Sequence, residues 1–111
     1  MNDYILVGLI ALIVVFYFYK KSTKSTTTLA MINNGSTVVD VRSPQEFKQG
    51  HFEGSVNIPL NSLSAQITKI KTFKTGIIVV CASGVRSAQA KSILNSHGID
   101  CHNGGSWRNL K

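Results

Sequence analysis

Cysteine is scarce in this 111-residue chain, which has only Cys81 and Cys101. Two cysteines do not make the disulfide framework of a small secreted domain, and they fit a reducing compartment. Metal-ligand spacing is absent too: His51, His97 and His102 are scattered, and the Cys101/His102 pair has no further ligand close by. No metal is therefore expected. Acidic residues are few, five against twelve Lys and Arg, for a formal charge of +7. The chain shows no internal repeat and no low-complexity segment, and its length leaves room for one domain. From Thr28 onward nine Lys/Arg less four Asp/Glu leaves +5. Such a surface suits anionic substrates or an anionic leaflet. Lys48, Lys69, Lys71, Lys74 and Lys91 lie scattered without interleaved aromatics, so nucleic-acid binding is not expected.

Charge is missing altogether from Tyr4 to Tyr19. That run is apolar on every face, which a small domain could not cover, although it is shorter than the about 20 residues of a typical spanning helix. Tyr4, Tyr17 and Tyr19 sit where interfacial aromatics are expected, and Lys20, Lys21 and Lys24 follow directly. No basic n-region precedes the run, and Tyr19-Lys20-Lys21 is a poor cleavage site. The sequence thus predicts an uncleaved transmembrane anchor at 1–21, with the lysines and the following domain on the cytoplasmic side. Residues 22–27 are Ser/Thr-rich and read as a short flexible linker. A domain of residues 28–111 remains, with a small core.

Within that domain strands alternate with helices. Thr28 to Asn34 reads as a short helix ended by Asn34-Gly35, Thr37 to Val41 as a strand, and Pro44 to Lys48 as a helix with proline in its first turn. Ser55 to Ile58 reads as a second strand. Leu63, Ile67 and Ile70 have helical spacing. Ile77 to Val80 is a continuous β-branched run that suits a parallel strand buried on both faces. Ser87 to His97 reads as a helix with Ala88, Ala90, Ile93 and Leu94 inward and Gly98 as its end signal. Ile99 to His102 is a last strand. The fold class is α/β: a small, mostly parallel sheet with helices on both faces, preceded by one transmembrane helix.

Cys81 ends the central strand, where α/β sheets place their ligand sites. After it come Ala82, Ser83, Gly84, Val85, Arg86 and Ser87, a short loop opening a helix. Backbone N–H groups of such a loop, together with the helix N-terminus, cradle an anion and favour the thiolate. Arg86 would add a full positive charge, or alternatively form a salt bridge with Asp40 or Glu46. Ser83 is either a donor to bound sulfur or a solvated loop serine. Gly84 allows close approach or an unusual φ. Cysteine phosphatases place one residue more between Cys and Arg than the four here. The tighter ring suits a persulfide sulfur better than a tetrahedral phosphate.

Three segments together resemble the single-domain rhodanese family of sulfurtransferases, over roughly Thr27 to Leu110. They are Asp40-Val41-Arg42-Ser43-Pro44-Gln45-Glu46-Phe47 running into Gly50-His51-Phe52-Glu53-Gly54-Ser55-Val56-Asn57-Ile58-Pro59, the Cys81 loop, and Asn103-Gly104-Gly105-Ser106-Trp107. The family usually continues past the Gly-Gly…Trp segment, whereas Lys111 ends the sequence here. The resemblance implies a Cys81 nucleophile, a substrate-binding loop of Ala82 to Ser87, and supporting roles for Asp40 and Arg42 in tying neighbouring loops. Arg42 and Glu46, at i and i+4, could instead form a helix-surface pair. His51 reads as a loop-fixing hydrogen-bond donor, Trp107 as core packing or a lip over the site, and Cys101 as a small core residue or a resolving cysteine. The implied activity moves sulfur from a small anionic donor such as thiosulfate to a thiophilic acceptor, cyanide or a thiol, without metal or organic cofactor. Two alternatives stay open: a persulfide carrier serving a protein partner, and a non-catalytic binding domain.

Overall fold

A computed structural model of the chain describes residues 3–73 and 76–110, with 17–27 described as helical backbone alone. The first helix, α1, runs from Asp3 to Asn33. Its helical backbone continues through 22–27, where the sequence reads as a flexible linker, and the helix expected from Thr28 forms its last turns. The physical reason is that no Gly or Pro interrupts the chain between Gly8 and Gly35, and Ser and Thr cost a helix only a few tenths of a kcal/mol each. Asn34 and Gly35 then end it, Gly35 with φ 90°.

Among the described residues, no helix is long and apolar enough to cross a membrane. The uninterrupted run of described apolar side chains at the start of α1 ends at Phe16, and Tyr4–Phe16 rises only about 20 Å against a hydrocarbon core of about 30 Å. The anchor expected at 1–21 is therefore not shown. The side chains of Tyr17, Tyr19, Lys20, Lys21 and Lys24 lie outside the described residues.

The remaining elements follow in order: β1 (Thr37–Asp40), α2 (Pro44–Gln49), β2 (Val56–Asn57), a 3-10 helix Leu60–Gln66 continuing into α3 (Ile67–Ile70), β3 (Ile77–Cys81), α4 (Val85–Ser96), β4 (Cys101–Ser106) and a 3-10 helix Trp107–Leu110. Among the described residues, four strands form one sheet in the order β2-β1-β3-β4, with every neighbouring pair parallel. From β1 the chain moves to β2 on one side and then to β3 on the other. The strand order thus reverses between β1 and β3, and the crevice beyond their carboxyl ends is where such sheets hold ligands.

Both faces of the sheet are covered, and strand alternation decides what goes where. On one face Val39, Ile77, Val79 and Cys81 pack with Leu63, Ile70, Ala90 and Leu94 from the 3-10 helix, α3 and α4. On the other, Val38, Ile78 and Val80 pack with Leu110 and, partly buried, Met31, Ile32, Phe52 and Trp107. Thr28 Oγ1 lies 2.8 Å from His102 Nε2, tying the end of α1 to β4.

Three expectations need correction. The segment with Leu63, Ile67 and Ile70 is mostly 3-10, because Pro59 leads into Asn61, Ser62 and Ser64, which are weak helix formers; its apolar spacing still buries Leu63 and Ile70. The inward face of α4 is Ser87, Ala90 and Leu94 with Ile93 partly buried against the same core, whereas Ala88 is exposed. The last strand starts later and runs further than Ile99–His102, because Gly104 is taken up as a bulge and pairing resumes at Gly105.

Candidate active site

Period-two alternation carries Cys81 onto the α4 face of the sheet together with Ile77 and Val79, and its side chain is fully buried. The chain then turns into α4 through Gly84, whose φ of 103° lies in the left-handed region. That conformation suits glycine. It brings the Gly84 N–H within 2.9 Å of Cys81 Sγ, and the Ser87 N–H, in the first turn of α4, within 3.4 Å. Sulfur therefore sits against two backbone donors at the positive end of a helix.

Ser87 faces the sulfur in a second way. Its Oγ is 3.5 Å from Sγ, 3.0 Å from the Gly84 carbonyl oxygen and 2.6 Å from Asn103 Oδ1. Asn103 Oδ1 also accepts from the Gly105 N–H at 2.9 Å. This places Asn103 by the site, although sequence reading gave it no role beyond motif membership. The available signal was Asn before two glycines in a strand, which marks a bulge. Opposite Val79 and Val80, β4 presents Asn103 and then Gly105, and Gly104 is the extra residue.

Burial is the largest influence on the Cys81 thiol and pushes its pKa up. Hydrogen bonding with the Ser87 side chain and from the N–H groups of Ser87, Gly84 and Ser83 outweighs it, and the net direction is down. Cys101 moves the other way, because burial holds its thiol up. Cys101 pairs with Ile77 at the start of β3, whereas Cys81 ends that strand. Four residues of strand rise about 13 Å, so Cys101 lies too far away to resolve a Cys81 persulfide and stands in the core instead.

The Arg86 guanidinium is hydrogen-bonded to a carboxylate, not to the sulfur. Its Nη1 and Nη2 donate to Glu46 Oε1 and Oε2 at 2.7 and 2.9 Å. Of the alternatives the sequence left open, the structure shows the salt bridge to Glu46. Glu46 is held from behind by a capping box at the start of α2: Ser43 Oγ accepts from the Glu46 N–H at 3.2 Å, and Glu46 Oε1 accepts from the Ser43 N–H at 3.3 Å. The hydrogen bond from Arg86, chief among its influences, holds the Glu46 carboxyl down at about 2. Arg86 also lines an open cleft with Val41, Ser43, Pro44, Pro59 and Leu60.

Asp40 and Arg42 form a separate, buried ion pair. Arg42 Nε donates to both Asp40 oxygens at 3.0 Å, and Arg42 Nη2 donates to Oδ2 at 2.8 Å and to the Gly50 carbonyl at 2.7 Å. The Arg42 guanidinium also lies 4.6 Å from the centre of the Trp107 ring. The pair thus braces the loop after β1 against the end of α2 and the final 3-10 helix. The surface pair of Arg42 with the Glu46 carboxylate does not form; Arg42 precedes α2, and its Nη1 reaches the Glu46 carbonyl at 3.4 Å. Trp107 packs on the face away from Cys81, in the second core cluster. His51 donates from Nδ1 to the Phe47 carbonyl at 2.8 Å and stacks on the Phe47 ring at 3.8 Å. Among the described residues, no group of His, Cys, Asp or Glu is placed to hold a metal ion.

Comparison with known proteins matches this architecture. The sequence model of the family described as Rhodanese-like domain covers residues 25–107. The thiosulfate sulfurtransferase PspE of Escherichia coli (strain K12) is 38% identical over 61 residues, 54% of this chain and 59% of that protein. The tRNA uridine(34) hydroxylase of Buchnera aphidicola subsp. Baizongia pistaciae (strain Bp) is 32% identical over 72 residues, 60% of this chain and 23% of that one. Both proteins are thus longer than the region that matches. A solved structure described as rhodanese with anions from E. coli superposes with a TM-score of 0.61 at 32% identity, covering 68% of this chain and 91% of that one. The parallel sheet, the Cys81 loop at its carboxyl edge and the family match over residues 25–107 agree, and the chain belongs to the rhodanese-like domain family.

Proposed function

We propose that the chain is a sulfurtransferase working through a Cys81 persulfide. The Cys81 thiolate attacks the outer sulfur of thiosulfate. A new S–S bond forms on Cys81, the donor's S–S bond breaks, and sulfite leaves with that electron pair. An acceptor nucleophile, cyanide in an assay or a thiolate, then attacks the outer sulfur and releases the Cys81 thiolate, completing two steps of covalent catalysis. The observation that carries this reading is the pair of N–H groups on Sγ, from Gly84 at 2.9 Å and Ser87 at 3.4 Å. They stabilise negative sulfur in both steps, and the loop from Ala82 to Ser87 is the substrate-binding element. The test is the intact mass of the full chain after thiosulfate treatment. One sulfur atom is expected to be added at Cys81 and removed by cyanide; no adduct, or an adduct at Cys101, would refute the reading.

A second reading is a persulfide carrier that delivers sulfur to a protein partner. The full burial of Cys81 and the Glu46 carboxylate on Arg86 favour it, since both disfavour rapid exchange with small anions.

We also propose that the domain is held at a membrane, single-pass, and faces the cytoplasm. Support comes from the apolar side chains of α1: the large ones from Tyr4 to Phe16 are all at least 46% exposed, and Lys20, Lys21 and Lys24 follow in sequence. The chain is expected to stay in the membrane fraction at high salt, and a membrane-impermeant thiol reagent applied to intact cells is expected to leave Cys81 unlabelled. Release by salt, or labelling from outside, would overturn this assignment.

A further inference from the structure

The anion seat beside the Cys81 loop already contains an anion. Glu46 takes up both terminal nitrogens of Arg86 with both carboxylate oxygens. It is not loosely placed: its Oε1 also accepts from the Ser43 N–H at 3.3 Å and from Ser43 Oγ at 3.1 Å. The capping box at the head of α2 therefore fixes the carboxylate across from α4. With its pKa down at about 2, Glu46 is charged at any working pH. Arg86 itself lines the open cleft next to the loop.

We propose that Glu46 is a specificity-determining residue of the sulfur-transfer site: as the resident partner of Arg86, it sets the site against dianionic sulfur donors and in favour of donors of lower charge, the persulfides. The proposal rests on the sulfurtransferase reading above.

The argument is one of charge balance. Arg86 alone would present one positive charge to an incoming donor, whereas Arg86 with Glu46 presents none. A dianion such as thiosulfate must displace the Glu46 carboxylate or lie beside it, and like charges at short range repel. A persulfide brings a single negative charge and is repelled less by the Glu46 carboxylate than a dianion is, while the Gly84 and Ser87 N–H groups hold the attacking Cys81 Sγ. Arg86 and Glu46 are 36% and 38% exposed, so water and salt screen the effect. A change of about three- to ten-fold is expected rather than a change of orders of magnitude.

The experiment compares the full-length wild type with Glu46→Gln. Glutamine keeps the capping-box acceptor, so the start of α2 is preserved while the charge is lost. The first readout does not need sulfur transfer: Cys81 is alkylated with iodoacetate, an anion, and with iodoacetamide, its neutral counterpart. Site-resolved mass spectrometry follows both reactions, with Cys101 as internal reference. The iodoacetate-to-iodoacetamide rate ratio at Cys81 is expected to rise about three- to ten-fold in Glu46→Gln at low salt, and the gain to shrink as salt is added. The second readout is thiosulfate turnover, where the gain is expected in KM rather than kcat. Glu46→Asp keeps the charge and is expected to hold the wild-type ratio, while Glu46→Met, neutral and similar in size, is expected to move it as Gln does. An unchanged ratio in both neutral variants, or an equal change for both reagents, would overturn the proposal. If no variant forms a persulfide while the ratio still shifts, it is the sulfurtransferase reading that fails.

Discussion

Cys81→Ser is expected to reduce sulfur transfer by a factor of about 10³ or more, because the residue removed is the nucleophile and nothing nearby can replace it. Cys101→Ser is expected to retain most of the activity. Cys101 sits opposite Ile77, at the far end of β3 from the loop, and burial holds its thiol up, away from the reactive form. The two cysteines thus differ in environment rather than in type. Sγ of Cys81 receives two N–H groups, whereas Cys101 packs in the core with Ile77 and Ile99. The Cys101→Ser variant isolates the Cys81 thiol for a second measurement, its alkylation rate against pH. The Cys81 pKa is lowered, so the thiolate persists as pH falls below the ordinary thiol value of about 8.5, and the rate drops only on passing the lowered pKa. An inflection at or above the ordinary value would contradict the cradle, and an inactive Cys101→Ser would contradict the choice of nucleophile.

The parts of this site that were legible in sequence are those with a local signature. Ile77 to Val80 announces a buried parallel strand, and Gly84 after Cys81 announces a turn that only glycine adopts without strain. Together they locate the sulfur and its N–H donors before any contact is known. The parts that were not legible depend on pairs distant in sequence. For Arg86 the sequence offered Asp40 or Glu46 as a salt-bridge partner beside a free charge at the sulfur, and nothing near Arg86 chose among them; the fold decides for Glu46, forty residues earlier. Asn103 is similar: the sequence placed it only within a motif segment, and the strand register is what shows the bulge that brings it to Ser87. Ser87 itself was passed over in favour of Ala88 on the inward face of α4, because hydropathy prefers alanine there. The serine is buried since its hydroxyl has Asn103 as a partner, and a satisfied polar group is tolerated inside. The continuation of α1 through 22–27 was missed for a different reason: Ser/Thr-rich composition suggests a tether, but only Gly or Pro would have stopped the helix locally.

Gly104→Ala is expected to be among the most damaging single changes outside the active-site loop. A Cβ at this position would stand 2.8 Å from Ile78 Cγ2 and 2.9 Å from Val80 Cγ1. Both neighbours are fully buried, and both are β-branched, with little freedom to turn aside. The clash lies within the β3–β4 pairing, so relief requires the strands to separate or the bulge to reset. Overpacking of this kind costs about 1–3 kcal/mol, and the upper part of that range applies where the obstructing atoms are on stiff, central residues. The consequence extends to the sulfur. The bulge brings Asn103 Oδ1 onto the Gly105 N–H at 2.9 Å and the Ser87 hydroxyl at 2.6 Å, and Ser87 in turn faces Cys81. A reset bulge is therefore expected to lower turnover per folded molecule as well as the urea midpoint. Gly54→Ala is the control. Gly54 also has a positive φ, 87°, but a Cβ there would meet nothing within 4 Å, so only backbone strain of about 1 kcal/mol applies, with no effect on the site. Equal losses of stability in the two variants would show that the close approach of Gly104 to Ile78 and Val80 does not hold the bulge. A destabilised Gly104→Ala with undiminished turnover per folded molecule would show that the bulge does not position Ser87.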